Sequence, residues 1–148
     1  KLSHYLRADL DGKPRPIHTW HGERTLAYER TTSWVRSNIV QQPRTVREGD
    51  GWAEKIVGEH DLLYFTLRRL EFEKRIEDDT CGKFHVLTLV DGERIRIRSV
   101  AQPERYFDAE YMDMVVVPAD MGRYVIENLR TEPISVHKTM LKDGFDKE

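Results

Sequence analysis

The sequence lacks the features that mark several large classes of protein. It has one cysteine, Cys81, in 148 residues, which excludes an internal disulfide framework and a zinc site built from several cysteines. No run approaches the roughly 20 apolar residues that span a bilayer. The 24 Lys and Arg residues nearly balance 26 Asp and Glu residues, so no broad basic surface for nucleic acid or anionic membrane is predicted. These absences favour a soluble globular protein, with the cytoplasm as the expected compartment.

The beginning of the chain also lacks a targeting signal. The first residue is Lys1, and the segment that follows has neither the apolar core of a signal peptide nor the composition of a transit peptide. The length matches one ordinary domain that buries its core without disulfides. A start without methionine leaves open that the chain is a fragment of a longer protein.

Two regions of the sequence differ in character. Residues 1–30 are rich in glycine and proline, which predicts a loop-rich extension. Residues 31–148 contain short apolar runs of strand type separated by Gly, Pro and Asp, from WVRSNIV at residues 34–40 to ISVHKTML at residues 134–141. Several short strands at near-regular spacing predict an all-β jelly-roll barrel with little helix.

Alternation within the runs predicts which side chains face the core. In ERIRIRSV, Arg94, Arg96 and Arg98 share one face, while Ile95 and Ile97 lie on the other. One face of this strand is therefore predicted to be buried and the other wet.

Three local patterns predict turns and strand ends. In LLYFTLRRLEFEKRI the apolar phase shifts around Arg68 and Arg69, which predicts a bulge or a change of sheet there. Asp91-Gly92 between two strand-like runs predicts a tight hairpin. The valine run at residues 115–117, stopped by Pro118, predicts an interior strand.

Histidines are the first candidates for metal or acid–base chemistry. A metal-binding barrel of this kind needs two histidines two apart on one strand, a carboxylate a few residues later and a third histidine on a distant strand. No such pair occurs in the sequence. His18 and His21, with Glu23 nearby, form either part of a metal site or an exposed loop. His85, at the entry to an apolar strand, is expected to be a hydrogen-bonded barrel histidine.

Other chemical groups have two interpretations each. Cys81 lies in a predicted turn and is either a thiol nucleophile or an incidental residue. Glu71 and Glu73 share one strand face, as paired acid–base carboxylates or as part of a charge-balanced surface. The stripe of arginines at positions 94, 96 and 98 either grips a phosphate or forms the wet face of an outer strand. No P-loop, dinucleotide glycine motif, nucleophile elbow or zincin motif is present.

The segment HYLRADLDGKPRPIH, at residues 4–18, resembles one conserved in type I mannose-6-phosphate isomerases of the cupin superfamily. Arg7, Leu10 and Lys13 fall on matching positions. A second segment, DMVVVPADMGRYVIENL, is similar to the strand pair of the C-terminal cupin in that family. The matching residues there are Pro118, Ala119, Gly122 and Tyr124.

The resemblance implies a cupin-type jelly roll for residues 31–148 and an extension, residues 1–30, from the end of the isomerase catalytic domain. It also implies zinc-dependent interconversion of mannose 6-phosphate and fructose 6-phosphate. By this resemblance, Arg7 would take the catalytic role of an arginine that assists proton transfer, and Lys13 would take a substrate-binding role. A cation beside a developing enediolate stabilises charge that appears only during the reaction.

The sequence departs from the family in ways that limit this expectation. The zinc ligands of the family are a Gln, two His and a Glu in an N-terminal cupin, and they precede the arginine segment with which this chain begins. Asp9 replaces a glycine, and Tyr124 stands where metal-binding cupins place a histidine. We therefore expect no metal ligands in this chain and a partner cupin elsewhere. The alternatives are a non-catalytic cupin that binds a sugar or sugar phosphate, and a structural domain that covers or dimerises another domain.

Overall fold

The computed structural model describes residues 7–144. The chain separates into two compact units, residues 1–40 and residues 41–148, and each is described by itself. No helix in the described part of the chain has the length and apolar character needed to cross a membrane.

The first unit contains a short hairpin and two helices. Residues 7–15 fold back through a bridge between Ala8 and Pro14, and the helices are α1 (Thr19–Thr25) and α2 (Thr32–Asn38). The sequence boundary after residue 30 falls just before α2. The prediction that WVRSNIV forms a strand is wrong, because residues 31–39 close helical hydrogen bonds, including Val35 N–H to the Thr31 carbonyl at 2.9 Å.

In the described part of the second unit, residues 41–144, ten strands form two antiparallel sheets. The larger sheet has the order β1-β2-β3-β10-β5-β8 and the smaller has the order β4-β9-β6-β7. This confirms the prediction of an all-β jelly-roll fold. The strands are β1 (Arg44–Gly49), β2 (Trp52–Gly58), β3 (Phe65–Phe72), β4 (Arg75–Asp79), β5 (His85–Asp91), β6 (Arg94–Ser99), β7 (Tyr106–Glu110), β8 (Met114–Val117), β9 (Arg123–Asn128) and β10 (Ile134–Leu141).

Alternate residues of both sheets form one apolar core. The predicted alternation of β6 is confirmed, since Ile95 and Ile97 are buried while the three arginines between and beside them are not. Burying such side chains between two sheets contributes roughly 1.5–3 kcal/mol each. The core consists of Leu70, Phe72, Ile76, Leu87, Leu89, Ile95, Ile97, Ala109, Val117, Tyr124, Ile126, Ile134 and Val136.

The predicted hairpin at Asp91-Gly92 is wrong. The turn exists, and Gly92 has a φ of 119°, but it carries the chain from the larger sheet to the smaller one. Strand β5 pairs with β8 and β10, whereas β6 pairs with β7 and β9. A Cβ on Gly92 would lie 2.4 Å from Ile134, so close packing under the crossover also requires glycine there.

A pairing irregularity does lie at the apolar phase shift around Arg68, although the extra residue is on β2 and not on β3. The register of β2 with β3 shifts between Ile56 and Gly58, opposite Arg68 and Leu67. Strand β3 keeps a continuous register with β10 from Phe65 to Phe72, and the chain changes sheets later, between β3 and β4. Thr66 is buried and Arg68 bonds the buried Glu54. Polar residues therefore occupy inward positions on β3, so the alternation of buried and exposed positions cannot be read from the hydrophobicity of the sequence.

Strand β8 was predicted to lie in the interior of a sheet, and this prediction is wrong. It pairs only with β5 and forms one edge of the larger sheet. Its end at Pro118 is as predicted, since proline has no N–H to continue a ladder. A continuous valine run records local strand propensity and does not reveal how many neighbours a strand has.

Candidate functional site

Five ionisable side chains meet between the two sheets. Glu54 from β2, His85 from β5 and Lys138 from β10 belong to the larger sheet, while Asp78 from β4 and Tyr124 from β9 belong to the smaller. The Lys138 ammonium lies 2.8 Å from Glu54 Oε1 and 2.5 Å from Asp78 Oδ2. Lys138 is 2% exposed and Glu54 is fully buried. We call these five residues the interior cluster.

Two arginines add further cations to the carboxylates of the interior cluster. Arg47 on β1 donates to Glu54 and, through Nη2, to Asp78 Oδ1 at 2.9 Å. Arg68 Nη1 donates to Glu54 Oε1 at 3.0 Å. Burial by itself would raise the pKa of Glu54, but the Lys138 charge and these hydrogen bonds outweigh it and lower the pKa to about 2. Both carboxylates are thus held by cations of the protein itself.

Tyr124 joins the imidazole to the carboxylates. Its hydroxyl donates to Asp78 Oδ2 at 3.1 Å and lies 2.7 Å from His85 Nδ1. Because the phenol proton goes to Asp78, His85 Nδ1 carries the proton that binds the Tyr124 oxygen. Burial lowers the pKa of His85 to about 4 and raises the pKa of Tyr124 well above its ordinary value. Both rings are therefore neutral at pH 7, and the expectation of a hydrogen-bonded barrel histidine is met in the structure.

The turn between β4 and β5 connects the strand that carries Asp78 to the strand that carries His85. The Thr80 hydroxyl donates to the Ala119 carbonyl at 2.7 Å and accepts from Gly122 N–H at 3.1 Å. The turn passes through Cys81, whose φ is 49° and whose side chain is exposed. This brace ties the turn to the segment before β9 and so holds the polar residues of three strands at one depth.

The interior cluster occupies the spacing of a metal-binding barrel without its chemistry. Asp78 and Thr80 are two apart, His85 follows a few residues later, and Tyr124 lies on a distant strand. Only one imidazole is present, and the Lys138 ammonium already lies against both carboxylates. This donor set does not fit zinc. Across residues 7–144, no group of three His, Cys, Asp or Glu side chains is placed to hold a metal ion.

The interior cluster does not show in the sequence as a site, because it contains no histidine pair. The spacing of positions 78, 80, 85 and 124 was visible, but the residue types were not those of ligands. Glu54 and Lys138 lie on separate strands far apart in sequence and look like ordinary surface charges. Only the pairing of β3 with both β2 and β10 brings them together.

The residues predicted from the resemblance lie on the hairpin of the first unit, which we call the Arg7 hairpin (residues 7–15). Asp9 N–H donates to the Lys13 carbonyl at 2.9 Å, and the Asp9 carboxylate pairs with Arg15 at 2.9 Å. The side chains of Arg7 and Lys13 are exposed. Lys13 also pairs with Asp11 at 3.3 Å. His4, where the resembling segment begins, lies outside the described residues.

The candidate metal residues of the first unit sit on or beside α1. His18 precedes the helix and His21 lies within it, with ring centroids 6.1 Å apart. The His21 ring packs edge-on against Trp20 at 5.0 Å. Together with Glu23, these residues do not form a metal-binding group.

The arginine stripe of β6 and the carboxylate of Glu71 form ion pairs with side chains of their own sheets. Arg96 Nε donates to Asp108 at 2.6 Å, and Arg98 bonds Glu127 at 2.6 Å. Glu71, on the larger sheet, pairs with Lys55 at 2.5 Å and also with the neighbouring Arg69. These contacts favour a solvated, charge-balanced face over a phosphate grip or an acid–base pair.

A cleft of about 600 Å³ opens beside β4. Its lining combines the Trp52 ring with three cations and three carboxylates: Arg47, Lys74, Arg75, Asp50, Glu73 and Glu77. Among residues 7–144, Lys74 and Arg75 have no carboxylate within ion-pair distance. These two cations beside Trp52 are the groups that could contact the anionic part of a small ligand.

No protein-family model and no curated protein sequence matches the chain. Solved structures do. The mannose 6-phosphate isomerase from Bacillus subtilis aligns over 91% of this chain and 38% of its own, with 16% identity and a TM-score of 0.60. A cupin-2 domain from Rhodospirillum rubrum aligns over 69% and 70%, with 13% identity and a TM-score of 0.54. The chain has a cupin fold.

Other cupin-fold structures show how widely this architecture is used. Vicilin from hazelnut, Corylus avellana, aligns over 70% of this chain and 32% of its own, with 19% identity and a TM-score of 0.53. The chain thus spans well under half the length of both the isomerase and vicilin. At these identities the likeness is one of fold, and the cupin fold hosts many unrelated activities.

Proposed function

We propose that this chain is the C-terminal cupin part of a mannose-6-phosphate isomerase-like protein, acting in aldose–ketose isomerisation of a sugar phosphate. The extent of the isomerase alignment carries the proposal. An alignment over 91% of the chain exceeds the share that residues 41–148 represent, so it takes in part of residues 1–40. The alignments with the Rhodospirillum rubrum cupin and with vicilin cover 69% and 70%.

The Arg7 hairpin supports the same proposal. Its backbone is held by paired ends and by the ion pair between Asp9 and Arg15, while Arg7 and Lys13 face solvent. A hairpin that presents an exposed guanidinium and an ammonium fits a role at the edge of a site completed by another domain. Arg7 would stabilise the developing negative charge of an enediolate, and Lys13 would bind the phosphate.

The interior cluster takes no part in this chemistry. Its carboxylates are already neutralised by Lys138, Arg47 and Arg68, and its donor set does not fit zinc. The zinc that such isomerases use would therefore be bound by a separate cupin domain of the proposed protein. This chain would supply the Arg7 hairpin from its first unit and a barrel from its second.

The test compares this chain alone with the same chain joined to a zinc-binding N-terminal cupin. We expect no conversion of mannose 6-phosphate to fructose 6-phosphate by the chain alone, with zinc or after chelation, and zinc-dependent conversion by the joined protein. In the joined protein, Arg7→Ala should lower kcat by roughly 100-fold or more, and Lys13→Ala should mainly raise KM.

Arg36→Ala on α2 is the matched control, since it removes an exposed arginine from the same unit without touching the Arg7 hairpin. It should leave both constants unchanged. Turnover by the chain alone would overturn the need for a partner domain. An unchanged kcat after Arg7→Ala would overturn the catalytic role.

The cleft beside β4 favours a second candidate, a cupin that binds a sugar phosphate without turnover. Calorimetric titration of the chain with mannose 6-phosphate would then show saturable binding. Lys74→Ala and Arg75→Ala should each weaken that binding several-fold, while Arg7→Ala should not. An affinity for mannose 6-phosphate that falls in Arg7→Ala but not in Lys74→Ala or Arg75→Ala would exclude this candidate.

A further inference from the structure

The two sheets have four edges, and strand edges have unpaired backbone groups that can join another strand. Proteins protect such edges with charges, bulges or prolines. Strands β1 and β8 flank the larger sheet, and β4 and β7 flank the smaller. Comparing the four edges shows which one is unprotected.

Three of the edges carry charged residues. Strand β1 has Arg44, Arg47 and Glu48, and its register shifts between Thr45 and Arg47. Strand β4 (RIEDD) has four charged residues in five, and β7 (YFDAE) has two. Strand β8 is MVVV and has none. By the rules that govern natural sheets, β8 is the edge open to further pairing.

The side chains around this edge are apolar and exposed. On β8, Met114 is 73% exposed and Val116 is 61% exposed. The turn that leads into it adds Tyr111 and Met112, at 59% and 60%, and β7 adds Phe107 at 56%. The nearest acidic residue, Asp113, accepts the Glu110 N–H at 2.9 Å. We call these five exposed residues and the free edge of β8 the β8 surface.

We propose that the β8 surface is a homodimer interface in which β8 pairs antiparallel with β8 of a second copy of this chain. A two-fold axis at Val115, paired with Val115 of the partner subunit, would place Met114 opposite Val116 of the partner subunit, with both side chains on the outer face of the joined sheet. An edge made only of Met and Val brings no like charges together, so it is complementary to itself.

The available area fits a second copy. Five side chains that are more than half exposed bury roughly 100–150 Å² each, or about 500–750 Å² per copy, and strand pairing adds backbone area. Stable interfaces bury about 600–1,000 Å² per partner. The proposed dimer lies at the lower end of that range, so a dissociation constant in the micromolar region is expected.

The test is sedimentation equilibrium of the full chain between about 1 and 300 µM. We expect a reversible monomer–dimer equilibrium. Val116→Lys should weaken the dimer at least 10-fold, because it places a charge on the paired edge. Val46→Lys is the matched control, since Val46 is also partly exposed and lies on the opposite, charged edge of the same sheet.

Hydrogen exchange tests where the dimer forms and reports on folding. Amides in residues 114–117 should be protected at high concentration and should lose that protection in Val116→Lys, while the amides of β10 stay protected in both. A chain that is monomeric at 300 µM would overturn the proposal. A dimer as sensitive to Val46→Lys as to Val116→Lys would also overturn it, and so would a monomer whose β8 binds only a strand of another protein. None of these outcomes depends on the proposed isomerase role.

Discussion

The interior cluster and the Arg7 hairpin both concentrate cations, but they do so in opposite surroundings. In the interior cluster, Lys138 contacts two carboxylates at 2.8 and 2.5 Å and is 2% exposed. On the Arg7 hairpin, Arg7 and Lys13 extend into solvent. Charges that are buried and matched stabilise one structure, whereas exposed cations on a held backbone remain available to a ligand or another domain. Glu54, His85 and Tyr124, whose pKa values are strongly shifted, are therefore assigned to structure, and the exposed cations of the Arg7 hairpin are the ones we propose for function.

The largest effect should come from breaking the ion pairs of the interior cluster. Lys138→Met removes the buried cation between Glu54 and Asp78 and leaves Arg47 and Arg68 as the remaining cations of these carboxylates, which should lower the free energy of unfolding by about 3 kcal/mol. Lys55→Met removes the partner of Glu71 on the outer face and should cost about 1 kcal/mol or less. Denaturant unfolding of the two variants measures the difference.

A second variant separates lost charge balance from lost packing. In Lys138→Met/Glu54→Gln, one buried negative charge is removed together with the cation, and part of the stability should return. Equal losses in the free energy of unfolding for Lys138→Met and Lys55→Met would contradict this prediction. A double variant that is less stable than Lys138→Met would also contradict it. Either result would mean that the ion pairs of the interior cluster do not act as a unit.

The next effect concerns pH. The pKa of His85 is lowered to about 4 by burial, so between pH 6.5 and 4 the unfolded chain binds a proton that the folded chain does not. Stability should fall as the pH drops through that window. Glu54, with its pKa lowered to about 2, contributes stability above pH 4.5 that is lost as the pH falls toward 2. Unfolding midpoints measured from pH 8 to 3 should show both declines.

A substitution at His85 tests whether this residue causes the loss of stability between pH 6.5 and 4. His85→Gln should flatten the change between pH 6.5 and 4, whereas His18→Gln, at an exposed position before α1, should leave it as in the parent chain. An unchanged slope in His85→Gln would show that another group causes the loss.

The smallest change in stability is expected from substitutions on the Arg7 hairpin. Arg7→Ala and Lys13→Ala remove exposed side chains, so each should change the free energy of unfolding by no more than about 0.5 kcal/mol. Thermal unfolding of the full chain checks this. A loss of several kcal/mol would mean that these residues are structural and would weaken the contrast with the interior cluster.

Much of the fold followed from the sequence because local patterns carry it. The alternation of Arg94, Ile95, Arg96 and Ile97 predicted one buried and one wet face of β6, and the density of short strands predicted a two-sheet barrel. The resemblance at residues 118–124 pointed to the cupin architecture that the solved structures share. Each of these signals depends on residues close together in the chain.

The wrong predictions concern segments whose secondary structure or strand pairing depends on residues distant in the sequence. The run at residues 34–40 has strand-like residues but closes helical hydrogen bonds as α2. Asp91-Gly92 has hairpin chemistry but joins two sheets. The valines of β8 resemble an interior strand, yet one side has no neighbour. Local propensity cannot say which strand lies alongside, because pairing is set by contacts distant in sequence.

Local patterns in the sequence thus account for the strand-rich character, the outward arginine stripe, the Arg7 segment and the lack of a histidine metal pattern. The contact of Lys138 with both Glu54 and Asp78, the neutral pair of His85 and Tyr124, and the edge position of β8 came only from the folded arrangement. Burial and charge pairing are properties of the space between strands. Residues from β2, β4 and β10 share that space only after both sheets have formed.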